Sequence, residues 1–189
     1  MSWPFLYFAD DRLSTAELAS ARLDGDVVEV GEAYMPADAV ETRELRAASL
    51  RPMIPAALAV IRESAAWVHG AVPDAPARHT VQRRSPARLN QAPDARLVYR
   101  DQLLPEGVAD CIGGVWVTTP AQTLADLVRA HLAGDAGDTV GGYVDAMLRW
   151  RPALAVEAIA ALERGGAVHY KRYALAFLRV RAAVGATTT

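Results

Sequence analysis

The sequence predicts an α+β protein, with a small helix-plus-hairpin module over residues 1–51 followed by a mixed sheet and a helical carboxy-terminal domain over residues 52–189. Three observations carry this reading. Short apolar runs of strand length come first in the larger part, and stripes at helical spacing follow them. A helix-start signal at Ser14 is followed by two valine-rich and aromatic runs that flank Gly31-Glu32. Pro52 and Pro55 then interrupt the chain and place the boundary between the two parts. With 189 residues, 52% of them hydrophobic and 22% charged, the chain can bury a core of its own.

Each element has a local reason. Ser14 with Glu17 three residues later forms a capping box, and the helix that it starts should stop at Asp24-Gly25. Val27, Val28 and Val30, then Ala33, Tyr34 and Met35, read as a hairpin with glycine first in the turn. A helix followed by a hairpin is the second half of a winged helix-turn-helix, so residues 1–51 are expected to form a partial, winged-helix-like module. Asp38 with Glu41 repeats the capping spacing and predicts a second helix from about Val40 to Leu50.

Beyond the prolines, Leu58–Ile61 suits a buried strand, and Glu63–His69 a brief helix stopped by Gly70. Residues 71–95 read as loop, with a strand around Val81; Leu97–Tyr99 and Val115–Val117 are further strands. Thr119-Pro120-Ala121-Gln122 is the clearest start signal, with Thr119 as cap, proline at the first helical position and Gln122 closing the box. Leu124, Leu127, Val128 and Leu132 line one face of that helix, and Val140, Tyr143, Val144, Met147 and Leu148 repeat the stripe after the break at Gly134–Gly137. Leu154–Glu163 and Tyr170–Val184 are the last two helices.

The formal net charge is only −2, but it is unevenly placed, and of the 20 basic residues Lys171 alone is lysine. Residues 24–44 hold Asp24, Asp26, Glu29, Glu32, Asp38, Glu41 and Glu44 against Arg43 alone; residues 78–100 hold Arg78, Arg83, Arg84, Arg88, Arg96 and Arg100 against Asp94 alone. A polyanion belongs on the second segment, which makes Arg78, Arg83, Arg84, Arg88 and Arg100 the nucleic-acid-binding candidates. The same asymmetry also allows two solvated faces that pair with each other. The aromatic strip of Trp3, Phe5, Tyr7 and Phe8 is the candidate partner interface, with packing on its own core as the alternative.

Signatures of catalysis are missing from the sequence. It has no phosphate-binding loop, no GxGxxG and no GxSxG elbow. His69, His79, His131 and His169 lack ligand spacing for zinc, and Lys171 has no carboxylate beside it of the kind a metal-dependent nuclease needs. Asp10-Asp11, and Asp135 with Asp138, read as caps or turns before they read as cation ligands. Cys111 reads as a buried, inert thiol, and a lone cysteine fits a reducing, cytoplasmic setting. No cofactor, metal or catalytic residue is expected. Nor is a membrane span, since no stretch approaches the roughly 20 apolar residues that one requires.

Four segments carry a resemblance to a known family: ELASARLDGDVVEVGEAYMPAD (Glu17–Asp38), RESAAWVHGA (Arg62–Ala71), LVYRDQL (Leu97–Leu103) and, most specifically, GGVWVTTPAQTLADLVR (Gly113–Arg129). In order and character they resemble the AbiEi-family antitoxins of type IV toxin-antitoxin systems, here with a shortened winged-helix amino terminus. The resemblance implies a winged helix that represses its own operon and a larger domain that counters a nucleotidyltransferase-type toxin, without catalysis. The partners it implies are that toxin and operator DNA. Because an acidic hairpin is repelled by a phosphate backbone, DNA is expected on the arginine segment instead. Two alternatives stay open: a truncated member acting only through protein partners, and a metal-dependent nuclease whose carboxylates meet only in space.

Overall fold

The computed structural model describes residues 5–87, 94–135 and 139–186. Its first helix, α1 (Thr15–Asp24), begins on the expected box: the Ser14 N–H donates to Glu17 Oε2 at 2.8 Å and the Glu17 N–H to Ser14 Oγ at 3.3 Å. Gly25 closes it in the left-handed region (φ 82°), and β1 (Val27–Val30) then pairs antiparallel with β2 (Ala33–Pro36). No helix precedes α1 among the described residues. Instead Tyr7 joins the hairpin as a bridge, exchanging backbone hydrogen bonds of 2.8 and 2.9 Å with Tyr34.

The second helix, α2, is shorter than its apparent capping box predicts. It spans Arg43–Ser49 and is capped by Thr42, whose Oγ1 accepts from the Leu45 N–H at 3.3 Å. Asp38 does not cap it, and the Glu41 carboxylate accepts from Arg46 Nε at 2.7 Å instead. Val40 is 80% exposed, so a longer helix would bury nothing at that end.

The remaining strands form one sheet in the order β5-β4-β3-β7-β6, from β3 (Leu58–Val60), β4 (His79–Arg83), β5 (Leu97–Arg100), β6 (Ala109–Ile112) and β7 (Val115–Thr118). It is mixed: β3 runs parallel to β7 and β4 to β5, while β3–β4 and β6–β7 are antiparallel. β6 is absent from the sequence reading because Ala-Asp-Cys-Ile has almost no strand pattern; the Gly113-Gly114 turn folds it onto β7. A Cβ on Gly113 would overlap the Glu44 carbonyl and come within 2.8 Å of the Ala48 nitrogen, so glycine here lets the turn lie against α2.

Paired residues in a sheet share a face. Tyr99, Val81, Val60 and Val117 line one side, packed in a core with Val30, Ala33, Met35, Leu45, Leu50 and Trp67. This core is continuous across residue 51. Residues 1–51 and 52–189 therefore contribute side chains to a common interior. On the other side Arg100, Gln82, Ala59, Trp116 and Cys111, which is exposed and not buried as expected, form a row across all five strands, with Leu104 from the β5–β6 connection packed on Ala59. Leu104 is pinned there by its N–H, which donates to the Arg83 carbonyl at 2.7 Å.

Helix α3 (Arg62–Val68) faces two ways, giving Trp67 and Val68 to the first core and Ala66 to a helical one. That second core is built by α4 (Pro120–Leu132), α5 (Thr139–Trp150), α6 (Leu154–Arg164) and α7 (Lys171–Ala186) from the predicted stripes, including Leu124, Leu127, Val128, Val144 and Met147. Thr119 caps α4 as expected (Gln122 N–H to Oγ1, 3.3 Å), but the box stays half made. The Thr119 N–H is already bonded to the Val108 carbonyl at 2.9 Å, and the Gln122 amide turns to Asp126 at 3.0 Å. No helix among the described residues is long and apolar enough to cross a membrane.

The hairpin turn is tightly seated. Gly31 has φ 53°, and a Cβ there would overlap Ser49 Oγ and lie 2.9 Å from the Trp67 ring. Gly31→Ala is expected to lower the unfolding free energy by about 2–4 kcal/mol in urea titrations, from left-handed strain plus overpacking. Gly25→Ala, which has nothing within 4 Å, should lose only the strain, about 1–2 kcal/mol.

His79 makes the fold acid-sensitive. It is 3% exposed, and burial, reinforced by the Arg96 charge, lowers its pKa to about 4. The unfolded chain therefore takes up this proton first, near pH 6.5, and stability that is complete above that pH is lost as the pH falls toward 4. The loss is up to about 3 kcal/mol over the window. Urea midpoints between pH 7 and pH 4 should fall accordingly, and His79→Gln should flatten the profile.

Candidate functional site

Of the predicted nucleic-acid-binding arginines, Arg78, Arg83, Arg84 and Arg100 lie along or beside β4 and β5, and their guanidinium groups are engaged within the protein. Arg78 Nε and Nη2 donate to the carbonyls of Ala95 (3.1 Å) and Leu97 (3.0 Å), fastening the chain that enters β5. Arg83 Nη1 donates to Ser85 (3.0 Å) and Pro86 (2.7 Å), while its Nε lies 3.2 Å from the Asp101 carboxylate. Arg84 donates to the Ala56 carbonyl at 2.9 Å and stacks 3.9 Å above the Trp116 ring. Arg100 turns toward α4, and Arg88 lies outside the described residues. Arg78 sits at one end of β4 and Arg83 with Arg84 at the other.

The amino-terminal aromatics are divided as well. Phe8 packs on the first core, where Leu6 is buried, Tyr7 is held by Tyr34, and Phe5 stays 54% exposed; Trp3 lies outside the described residues. The acidic and basic segments meet directly. Arg96 binds the Glu32 carboxylate at the hairpin turn and holds Asp94 at 2.7 Å on its other side. The hairpin is thus docked at its tip by packing at Gly31 and by charge at Glu32.

Arg62, Arg100 and Asp135 form a convergence of charge that local sequence signals did not mark. Arg62 follows β3 directly and begins α3 with φ 51°, a left-handed backbone that non-glycine residues seldom adopt. Its Nη1 and the Nη2 of Arg100 both lie 3.3 Å from the same oxygen, Oδ2 of Asp135. Asp135 is positioned by the end of α4, where its N–H donates to the Ala130 carbonyl (3.0 Å) and the Gly134 N–H to His131 (3.1 Å). Close by in the same field, Asp126 is buried and bonded to Gln122 and, at 2.9 Å, to Arg129. Thr80 Oγ1 donates to Glu63 at 3.2 Å.

Environment sets the charges. Burial lowers the pKa of Arg62, and the neighbouring Arg100 adds to this. Burial raises that of Asp126, against the pull of Gln122, Arg129 and Arg62. At Asp135 partial burial pushes upward, but the Arg62 and Arg100 guanidiniums outweigh it and hold the carboxyl below its usual range. Two guanidiniums on one carboxylate oxygen form an anion-holding device. Among the described residues no group of three or more His, Cys, Asp or Glu side chains has a metal-holding arrangement. Asp138, once paired with Asp135 as a possible cation ligand, lies outside the described residues.

Residues 56–176 match a family model described as the AbiEi antitoxin C-terminal domain. The match begins just before β3 and ends within α7, so it takes in the whole five-stranded sheet, the Arg62–Arg100–Asp135 cluster and helices α3 to α6. None of the curated proteins compared with the chain matches it.

Asp135→Asn leaves Arg62 and Arg100 against each other without their shared anion. Because solvent reaches Asp135, the expected loss is about 1–2 kcal/mol, below that for a fully buried ion pair. Combining it with Arg100→Gln should return part of that loss, and a double-mutant cycle in urea measures the coupling.

Proposed function

Because the chain belongs to the family of the AbiEi antitoxin C-terminal domain, we propose that it is a non-catalytic, cytoplasmic antitoxin that counters a nucleotidyltransferase-type toxin through the body spanning residues 56–176. The observation that carries this reading is the docking of the hairpin. Its turn is wedged against Ser49 and Trp67, and Glu32 is held by Arg96, so the element that would enter a DNA groove serves as a brace for the body. Of the arginines that would replace it on DNA, Arg78, Arg83, Arg84 and Arg100 are committed to carbonyl and carboxylate oxygens. Activity is accordingly assigned to the matched body and not to residues 1–51.

Co-expression with the nucleotidyltransferase-like product of a neighbouring gene tests the proposal. Growth should be restored by the wild-type chain and equally by Glu29→Arg, a change on the exposed side of the hairpin. Failure of the wild type to restore growth sinks the antitoxin reading. A mobility shift of the upstream DNA at about 50 mM salt, weakened by Arg78→Ala and Arg83→Ala and falling steeply as salt rises, would favour an operator-binding regulator instead.

A further inference from the structure

While Arg78, Arg83, Arg84 and Arg100 are committed internally, Arg164 at the end of α6 and Arg172 in the first turn of α7 have no hydrogen-bond or ion-pair partner among the described residues. Between them the chain bends through Gly165–Tyr170. The bend is held rigidly from two sides. Arg129 Nε donates to the His169 carbonyl at 2.8 Å, and Lys171 Nζ to those of Gly165 (2.6 Å) and Gly166 (3.3 Å). Tyr170 takes a left-handed backbone, φ 61°, and this strained residue turns its ring into an aromatic group. His169 meets it edge-on at 4.4 Å, and the Tyr173 ring lies 6.0 Å away.

The group walls a recess of about 450 Å³ reaching from Ala167 to Leu175, and Tyr173 remains 69% exposed beside it. A second recess of about 500 Å³ adjoins along Val168 and is lined by Arg129 and Arg164, with Gln122 and Glu106 among its other polar groups. The carboxylate nearest in sequence, Glu163, is taken by Arg179 at 2.9 Å and does not neutralise Arg164. Exposed aromatic faces on a pre-set bend, flanked by uncommitted guanidiniums, suit a ligand made of flat rings joined by phosphates. Bases stack on tyrosine whatever their sequence, and arginine forks take phosphate oxygens.

We propose that the α6–α7 corner binds single-stranded nucleic acid, with a base stacked on Tyr170 and Tyr173 and the flanking phosphates on Arg164 and Arg172. This site is separate from the Arg62–Arg100–Asp135 cluster and does not depend on the antitoxin reading. Duplex DNA does not fit it, because paired bases keep their faces covered.

Fluorescence anisotropy of the full chain with labelled oligo(U) and oligo(dT) of about 12 nucleotides, at low salt, tests it. Both strands, or one if the sugar is read, should bind more tightly than a duplex of equal length. Tyr173→Ala should weaken binding about tenfold. Arg164→Glu with Arg172→Glu should weaken it further and flatten its salt dependence by about two phosphate contacts. These side chains are exposed, so thermal melts of the variants should match the wild type, which separates lost binding from lost folding. The proposal is overturned by no anisotropy change with either oligonucleotide, by equal binding of the duplex, or by insensitivity to these substitutions. It is also overturned if poly-glutamate displaces the probe as well as unlabelled oligonucleotide does, since the corner would then be a site for acidic peptides.

Discussion

Trp67 is 1% exposed and sits where the hairpin turn, α2 and β4 meet. Its ring lies 2.9 Å from where a Cβ on Gly31 would sit, 5.5 Å beneath the Arg46 guanidinium and 5.9 Å from the His79 ring on β4. Arg46 also donates to the Trp67 carbonyl at 2.6 Å and to that of Val72 at 2.8 Å, tying α2 to the end of α3. A large aromatic side chain can be buried this completely only if its neighbours leave it a shaped space. Here that space requires glycine in the hairpin turn, and it is bounded in the sheet by His79, whose burial lowers its pKa. The hairpin is therefore part of the body, because undocking it would bring the Trp67 ring into water.

That constraint organises the charges. Once the turn is seated, Glu32 comes to Arg96, and the acidic and basic stretches of the chain neutralise each other where they meet. Arg78 and Arg83 act as clamps. A guanidinium presents five N–H donors in a planar fork, so one side chain can satisfy two carbonyls at a loop, as Arg78 does at Ala95 and Leu97 and Arg83 at Ser85 and Pro86. In a chain whose only lysine is Lys171, and which crosses between sheet edges through loops, this is a structural use of positive charge. It also separates arginines that hold loops from those, such as Arg164 and Arg172, whose donors still face outward.

The functional reading follows from the same division. Family membership rests on residues 56–176, and these contain the complete sheet, the shared-carboxylate cluster and the helical core up to the start of α7. Residues before them pack against that body and complete its first core.

Local chemistry was enough to place most elements. Ser14 with Glu17, Thr119 with Pro120, and the Gly31-Glu32 turn each act within a few residues, and the leucine and valine stripes of α4 and α5 depend only on helical periodicity. Two local signals misled: Asp38 with Glu41 had the spacing of a cap, yet Thr42 stood nearer the first turn that burial could reward, and β6 had almost no pattern because its strand is set by pairing with β7. What each charge does was decided only by the tertiary structure. Arg62, Arg100 and Asp135 lie at positions separated by dozens of residues and meet on one oxygen, while Arg78 and Arg84, neighbours in the same basic stretch, end at opposite ends of a strand. A side chain's type limits which bonds it can form, but the partner that reaches it first is determined by how strands and helices pack, and that information is spread over the whole chain.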